Sequence, residues 1–123
     1  MGLAYAHEED YDEAIRCFKK AVEIKPDFHE AWHGIGLTCA LKGDYDEAIR
    51  RYKKAVEIKP DKHEVWYNLA RAFALKGDAE EAARHLAKAI ELHPPYRQQA
   101  RKDSAFDAVR DHPAIKALLE NEE

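Results

Sequence analysis

The sequence predicts an all-α protein, built as a solenoid of antiparallel helix pairs. Three observations predict this fold class: a 34-residue internal repeat, residues that begin and end helices at the same place in each copy, and interleaved apolar and charged residues. Hydrophobic residues make up 46% and charged residues 36% of the 123 residues, which is typical of amphipathic helices. We therefore expect a folded helical domain.

The repeat is visible in two short segments that recur unchanged. YDEAIR and KKAVEIKPD each occur twice, 34 residues apart. A third, more diverged copy keeps the same interval, which relates the prolines Pro26, Pro60 and Pro94. A period of this length indicates one helix–turn–helix unit per copy, and each unit buries its apolar face against its neighbours.

Helix boundaries follow from residues that cap or end helices. An Asp followed by Glu three residues later forms a capping-box arrangement that can begin a helix. This arrangement starts at Asp10, Asp27, Asp44, Asp61 and Asp78. Gly43 and Gly77 suit the left-handed residue that ends the first helix of a pair, and the three prolines end the second. The signals predict helices over residues 2–8, 11–25, 28–42, 45–59, 62–76 and 79–92.

The repeat resembles the tetratricopeptide repeat (TPR) family, which places Trp, Leu, Gly, Tyr, Ala, Phe, Ala and Pro at fixed offsets. The second copy matches with Trp32, Ile35, Gly36, Cys39, Ala48, Tyr52, Ala55 and Pro60. The third copy matches with Trp66, Leu69, Ala70, Phe73, Ala82, Leu86, Ala89 and Pro94. The resemblance implies a right-handed superhelical α-solenoid. It divides the chain into a truncated repeat at 1–26 and two further repeats at 27–60 and 61–94. The truncation leads us to expect a piece of a longer array.

The segment 95–123 leaves the 34-residue pattern. It predicts a helix over Tyr96–Lys102 and a final amphipathic helix over Pro113–Glu120, with Phe106 and Val109 packing as a short turn between them. We interpret the segment as a C-terminal helical cap, because terminal repeats are atypical. The alternative is that it occupies a groove, either its own or that of a second copy.

One motif suggests metal chemistry. Residues 29–33 read HEAWH, the helical signature of zinc metalloproteases, and its two histidines could share an ion. Cys39 stands where a longer version of the pattern has a third ligand, but on a continuous helix it would lie about 9 Å further along the axis than His33. The next copy has Tyr67 in place of His33. A zinc hydrolase is therefore a remote alternative. We expect no catalytic residue, no cofactor and no metal site beyond weak, adventitious binding by His29 and His33.

Composition excludes several partners. The net charge is −4 and the two signs are interleaved, so the chain offers no basic field for nucleic acid. No apolar run approaches the roughly 20 residues that cross a bilayer. Cys17 and Cys39 have no CxxC spacing and are expected to be free thiols. We expect a cytoplasmic protein with neither a nucleic-acid nor a membrane partner.

The family resemblance implies that the first helix of each pair lines a concave groove that binds a peptide. The candidate groove residues are Leu3, His7, His33, Leu37, Leu41, Tyr67, Asn68, Arg71 and Leu75. Leu41 and Leu75 are informative, because a solvated face would normally carry charge there. We expect a protein or peptide partner with apolar anchors, oriented by Tyr67 and Arg71. Of the clamp with which some family members hold a C-terminal carboxylate, only Asn68 is matched.

The leading hypothesis is a non-enzymatic protein–protein interaction module whose partner the sequence does not name. Two alternatives stay open. The groove side chains could pack only with one another or under the C-terminal segment, or the array could self-associate as a structural scaffold.

Overall fold

The computed structural model describes residues 8–120. These residues form seven α-helices and one 3₁₀ helix and contain no strand. In chain order the elements are α1 (Glu8–Ile24), α2 (His29–Leu41), α3 (Tyr45–Ile58), α4 (His63–Lys76), α5 (Ala79–Leu92), α6 (Tyr96–Lys102), the 3₁₀ helix (Ser104–Val109) and α7 (Pro113–Glu120). The chain divides into two compact units, residues 1–59 and 60–123. None of the described helices combines the length and the apolar character needed to cross a membrane.

The predicted helices α2 to α5 begin and end within one residue of their expected bounds. The prediction is wrong at α1, which already includes Glu8, whereas the sequence predicted an interruption before residue 11. Asp10 therefore lies inside α1 and does not cap it. The remainder of the predicted helix over 2–8 lies outside the described residues.

In the first unit, α2 packs against both α1 and α3. Two glycines of α2 allow the close contacts. A Cβ atom on Gly34 would lie 2.5 Å from the ring of Phe18, and one on Gly36 would lie 2.6 Å from the ring of Tyr52. Between them, Ile35 is fully buried. Gly34 and Gly36 are thus the places on α2 where aromatic rings of the neighbouring helices sit.

Capping follows the prediction at α3 and α5, the second helices of the two complete pairs. The side chains of Asp44 and Asp78 accept hydrogen bonds at 3.3 Å from the backbone N–H groups of Glu47 and Glu81, as predicted. In front of each capped helix, Gly43 and Gly77 adopt φ angles of 85° and 87°, the predicted left-handed conformation.

Asp27 and Asp61 do not cap, which corrects the prediction. The N-cap residues of α2 and α4 are Phe28 and Lys62, and neither cap makes a side-chain hydrogen bond. In the first case Lys25 accepts a hydrogen bond from the N–H of Phe28, which folds Pro26 and Asp27 into a turn. Asp27 therefore stands one residue too early to reach the first turn of α2.

In the second unit, α4 and α5 form a pair, the 3₁₀ helix packs on α4, and α7 packs on α5 and α6. The sequence predicted the bounds of α6 and α7 and a short turn between them, as observed. Phe106 and Ile115 of this segment are fully buried. Arg97 and Arg101 donate to the backbone oxygens of Leu118 and Leu119 at 2.9 and 2.6 Å, which satisfies carbonyl groups at the end of α7.

Candidate functional site

Three of the candidate groove residues share one face of α2, because they are spaced four residues apart. They are His33, Leu37 and Leu41, which we call the α2 surface. Leu37 is 41% exposed and Leu41 is 69% exposed. The His33 ring is half-buried and packs edge-on against the ring of Tyr52, with 5.8 Å between centroids. The α2 surface therefore consists of two exposed leucine side chains and a histidine ring that packs against Tyr52. Leu3 and His7 lie outside the described residues.

The 34-residue period relates the α2 surface to three residues of α4, namely Tyr67, Arg71 and Leu75. Leu75 is 44% exposed, and its counterpart Leu41 is exposed too. Tyr67 is only 4% exposed, because its ring stacks on that of Tyr96 with 4.3 Å between centroids and 9° between planes. The C-terminal segment thus covers part of the face of α4 that corresponds to the α2 surface.

Asp103 is the partner of both Tyr67 and Arg71. The Tyr67 hydroxyl donates to Asp103 Oδ2 at 2.8 Å, and Arg71 Nε donates to the same oxygen at 2.8 Å. The backbone N–H of Ala105 donates to Asp103 Oδ1 at 2.9 Å. In this structure Tyr67 and Arg71 hold a carboxylate of the same chain, and their role in orienting an outside peptide stays a prediction. We call Tyr67 and Arg71 the α4 carboxylate site.

The electrostatics of the α4 carboxylate site favour a charged Asp103. Burial alone would raise the pKa of this carboxyl, but the hydrogen bonds from Ala105, Tyr67 and Arg71 outweigh it and the pKa is lowered. Burial, together with the bond to Asp103, raises the pKa of Tyr67, so its hydroxyl stays a donor. The pair is a charge-assisted hydrogen-bond arrangement, in which both donors point at one carboxylate.

A group of aromatic rings holds the start of α6 beside this site. The rings of His63 and His93 stack with 4.3 Å between centroids and 7° between planes. His63 Nδ1 lies 3.0 Å from the hydroxyl oxygen of Tyr96, whose ring stacks on Tyr67. The ring contacts therefore connect the end of α5 to the α4 carboxylate site.

An open hollow of about 360 Å³ adjoins the α4 carboxylate site. Its walls come from α4 and α6 and include Glu64, Asn68, Arg71, Tyr96 and Gln99. Asn68 is half-buried at this position. The lining is polar, in contrast to the exposed leucines of the α2 surface.

The residues of the zinc-protease pattern lie on α2, where Cys39 and His33 make packing contacts. Cys39 is 4% exposed in the core, and burial is the main cause that raises its pKa. His33 contacts Tyr52, as described above. Among residues 8–120, no three His, Cys, Asp or Glu side chains are grouped so that they could hold a metal ion.

His85 is a buried histidine of the second unit. It is 9% exposed, and its ring stacks between those of Phe73 and Trp66, at centroid distances of 5.0 and 5.9 Å. Its Nδ1 lies 2.8 Å from the backbone oxygen of Glu81. His85 is therefore a core residue of the second pair rather than a surface residue.

Comparison with family models gives four matches. A model described as TPR repeat matches residues 36–77, and three models described as Tetratricopeptide repeat match residues 1–28, 17–50 and 63–96. Together the matches extend from residue 1 to residue 96. A sequence search of curated proteins found no significant match.

Solved structures with the same fold include three that are informative. MamA aligns with a TM-score of 0.75 and 27% identity, over 90% of this chain and 66% of that one. YrrB, described as a TPR protein with an unusual peptide-binding site, aligns with a TM-score of 0.69 and 29% identity, over 77% of this chain and 50% of that one. The chain thus spans about two thirds of MamA and half of YrrB.

The third structure is the Yersinia enterocolitica type III secretion chaperone SycD in complex with a peptide of the translocator YopD. It aligns with a TM-score of 0.71 and 22% identity, over 83% of this chain and 81% of that one, and it supports the fold alone. The predicted fold class, an all-α solenoid of helix pairs, is confirmed by the helices and by these neighbours. The chain belongs to the tetratricopeptide repeat family.

Proposed function

We propose that the chain is a non-enzymatic protein–protein interaction module, and that it binds a peptide or helix of a partner protein on the α2 surface. The observation that carries the proposal is the solvent exposure of Leu37 and Leu41, on one face of a helix whose other faces are buried. Exposed apolar side chains that adjoin one another on one face are typical of surfaces that bind a partner. Leu75, exposed at the equivalent place on α4, stays a predicted contact.

The chemistry of the α2 surface suits apolar anchors. Complete burial of a fully exposed leucine side chain contributes about 1.5–3 kcal/mol. Leu37 is 41% exposed and Leu41 is 69% exposed, so covering both supplies about as much as burying one such leucine, a substantial part of the affinity of a weak peptide complex. His33 adds a polar group at one end of the row, where it can accept or donate one hydrogen bond. An amphipathic partner helix that spaces its anchors by three or four residues matches this arrangement.

One relative supports the proposal by similarity. YrrB is described as a TPR protein with a peptide-binding site. That site belongs to YrrB. It supports the class of partner proposed here, a peptide segment, and not its sequence.

The test uses the whole chain and peptides selected from a displayed library of amphipathic helical sequences. We expect Leu37→Lys and Leu41→Lys each to weaken binding of a selected peptide by about tenfold or more, because each change removes one buried anchor and adds a charge. We expect the melting temperature to change by less than about 2 °C, because both leucines are exposed in the free chain. Fluorescence anisotropy and circular dichroism measure the two effects.

Ile24→Lys is the matched control. Ile24 is 85% exposed at the end of α1, a helix that the family pattern does not place on the groove. It should bind the same peptide with unchanged affinity. Equal losses in all three variants would mean that the peptide recognises general surface hydrophobicity, and unchanged binding by the α2 variants would reject the α2 surface as the site.

A further inference from the structure

The C-terminal segment presents a short ligand-like sequence to α4. Asp103 is the N-cap residue of the 3₁₀ helix and Phe106 lies three positions later, and both side chains contact Tyr67 of α4. The carboxylate enters the α4 carboxylate site, and the Phe106 ring lies 5.9 Å from the ring of Tyr67. Phe106 is 0% exposed. The face of α4 thus recognises a charge and an aromatic ring together.

The segment keeps its shape through contacts of its own. The Arg110 guanidinium donates to the backbone oxygens of Ala100, Arg101 and Asp103 at 3.2, 3.0 and 2.9 Å. It also pairs with Asp107 at 2.9 Å. Ala100 and Arg101 are at the end of α6, and Asp103 and Asp107 are in the stretch that follows, so all four partners lie within the C-terminal segment 95–123. Arg110 therefore stabilises the bound shape of residues 103–109 without contributing to the α4 carboxylate site, so the ligand and its site can be perturbed separately.

We propose that the α4 carboxylate site binds a partner segment that carries a carboxylate followed three residues later by an aromatic side chain, and that residues 103–106 occupy this site until such a segment replaces them. The partner's chemistry is argued from the present occupant. One tyrosine hydroxyl and one guanidinium converge on a carboxylate, and an apolar wall beside them receives a ring. The inference concerns a different surface from the α2 surface and does not depend on it.

The geometry gives an incoming segment a way in. The Arg71 side chain is 41% exposed, and its Nη2 lies 3.5 Å from Asp103 Oδ1, at the outer limit of a hydrogen bond. The 360 Å³ hollow opens beside it. A second carboxylate can therefore approach the guanidinium from the hollow while Asp103 is still bound. Residues 103–106 fill the site most of the time. The apparent affinity for a partner therefore equals the affinity of the open site multiplied by the fraction of time for which the site is open.

The probe is a fluorescein-labelled synthetic peptide with the sequence of residues 102–112, KDSAFDAVRDH, added to the whole chain. We expect weak binding to the unmodified chain. Arg110→Ala, which loosens the segment, and Asp103→Asn, which weakens its hold on the site, should each tighten binding by about tenfold or more, because both raise the open fraction. A peptide with Asn at the first Asp should bind none of the chains well.

Two controls make the result specific. Arg84→Ala removes an exposed arginine that pairs with Glu81 on α5, and it should bind the peptide like the unmodified chain. Adding Arg71→Met to Arg110→Ala removes the guanidinium from the site and should abolish the gain. Hydrogen exchange should be faster at amides 104–109 in the two loosened variants, with the amides of α2 and α3 unchanged.

Three outcomes would overturn the proposal. Faster exchange at amides 104–109 without tighter peptide binding would mean that the segment is only a structural cap. Unchanged exchange in both variants would mean that these contacts do not hold the segment in place. A concentration-dependent dimer of the Arg110→Ala chain that ignores the peptide would make a second copy, rather than a partner segment, the occupant.

Discussion

At the scale of single residues, the two complete repeats solve one packing problem in two ways. In the second repeat Gly36 lies under the ring of Tyr52, where an added Cβ would come within 2.6 Å. In the third repeat the same register holds Ala70 and Leu86, both 0% exposed. Leucine is smaller than tyrosine and alanine is larger than glycine, so the two pairs of residues have similar total volumes. The residue at each of the two positions therefore matches the size of the residue at the other position.

This account predicts a coupled pair of substitutions. Gly36→Ala should destabilise the chain by about 1–3 kcal/mol, because Tyr52 is 2% exposed and its ring cannot move aside. Tyr52→Leu should cost about 2 kcal/mol or more through the cavity it leaves. The double variant should lose about 1–2 kcal/mol less than the sum of the two, as urea unfolding can measure. Strict additivity would mean that the two side chains do not compete for space.

Residue-scale prediction from the sequence fails where a partner is distant. Tyr67 and Arg71 were correctly located on α4, but Asp103, which binds both, follows 36 and 32 residues later in a segment outside the repeat. Hydrogen bonds between side chains so far apart leave no periodic signal. The burial of His85 was missed for a related reason, since its ring is polar by type and becomes a core residue only between Phe73 and Trp66.

At the scale of helices, most boundaries follow from local chemistry. Gly43 and Gly77 end a helix in the left-handed conformation, and the next residue is an Asp that caps the following helix. Both signals act within four residues, which is why the sequence predicts them. The same Asp-to-Glu spacing at Asp27 gave a wrong cap, because the preceding proline places that Asp in a turn. Whether the Asp of such a pattern caps a helix thus depends on the backbone conformation of the residues just before it.

The cap difference is directly measurable. Asp44→Ala should destabilise the chain by about 1 kcal/mol, because it removes the acceptor for the N–H of Glu47. Asp27→Ala is the matched control, since Asp27 is exposed and does not cap α2, and its effect should stay below about 0.5 kcal/mol. Chemical denaturation of both variants compares them. A larger loss for Asp27 than for Asp44 would contradict the observed helix starts.

At the scale of the whole molecule, the 34-residue period was enough to predict the fold class. Each copy repeats the same helix pair, so one correct assignment fixes the next. The surface left for binding was only partly predictable. Leu41 on α2 and its equivalent Leu75 on α4 are both exposed, whereas Tyr67, the equivalent of the half-buried His33, is covered by the C-terminal segment. The period predicts which residues lie on the same face of a helix. Whether that face is exposed to solvent depends on the C-terminal segment, which does not follow the repeat.

The central claim is that a partner peptide binds the α2 surface, and an NMR titration tests it most directly. A library-selected peptide is added to the ¹⁵N-labelled whole chain, with light scattering used to establish the mass of the complex. The account predicts the largest backbone shift changes at His33, Leu37 and Leu41, in a complex of one chain with one peptide. Shift changes confined to α3 and α5 would contradict it. So would light scattering that detects the peptide bound only to self-associated chains.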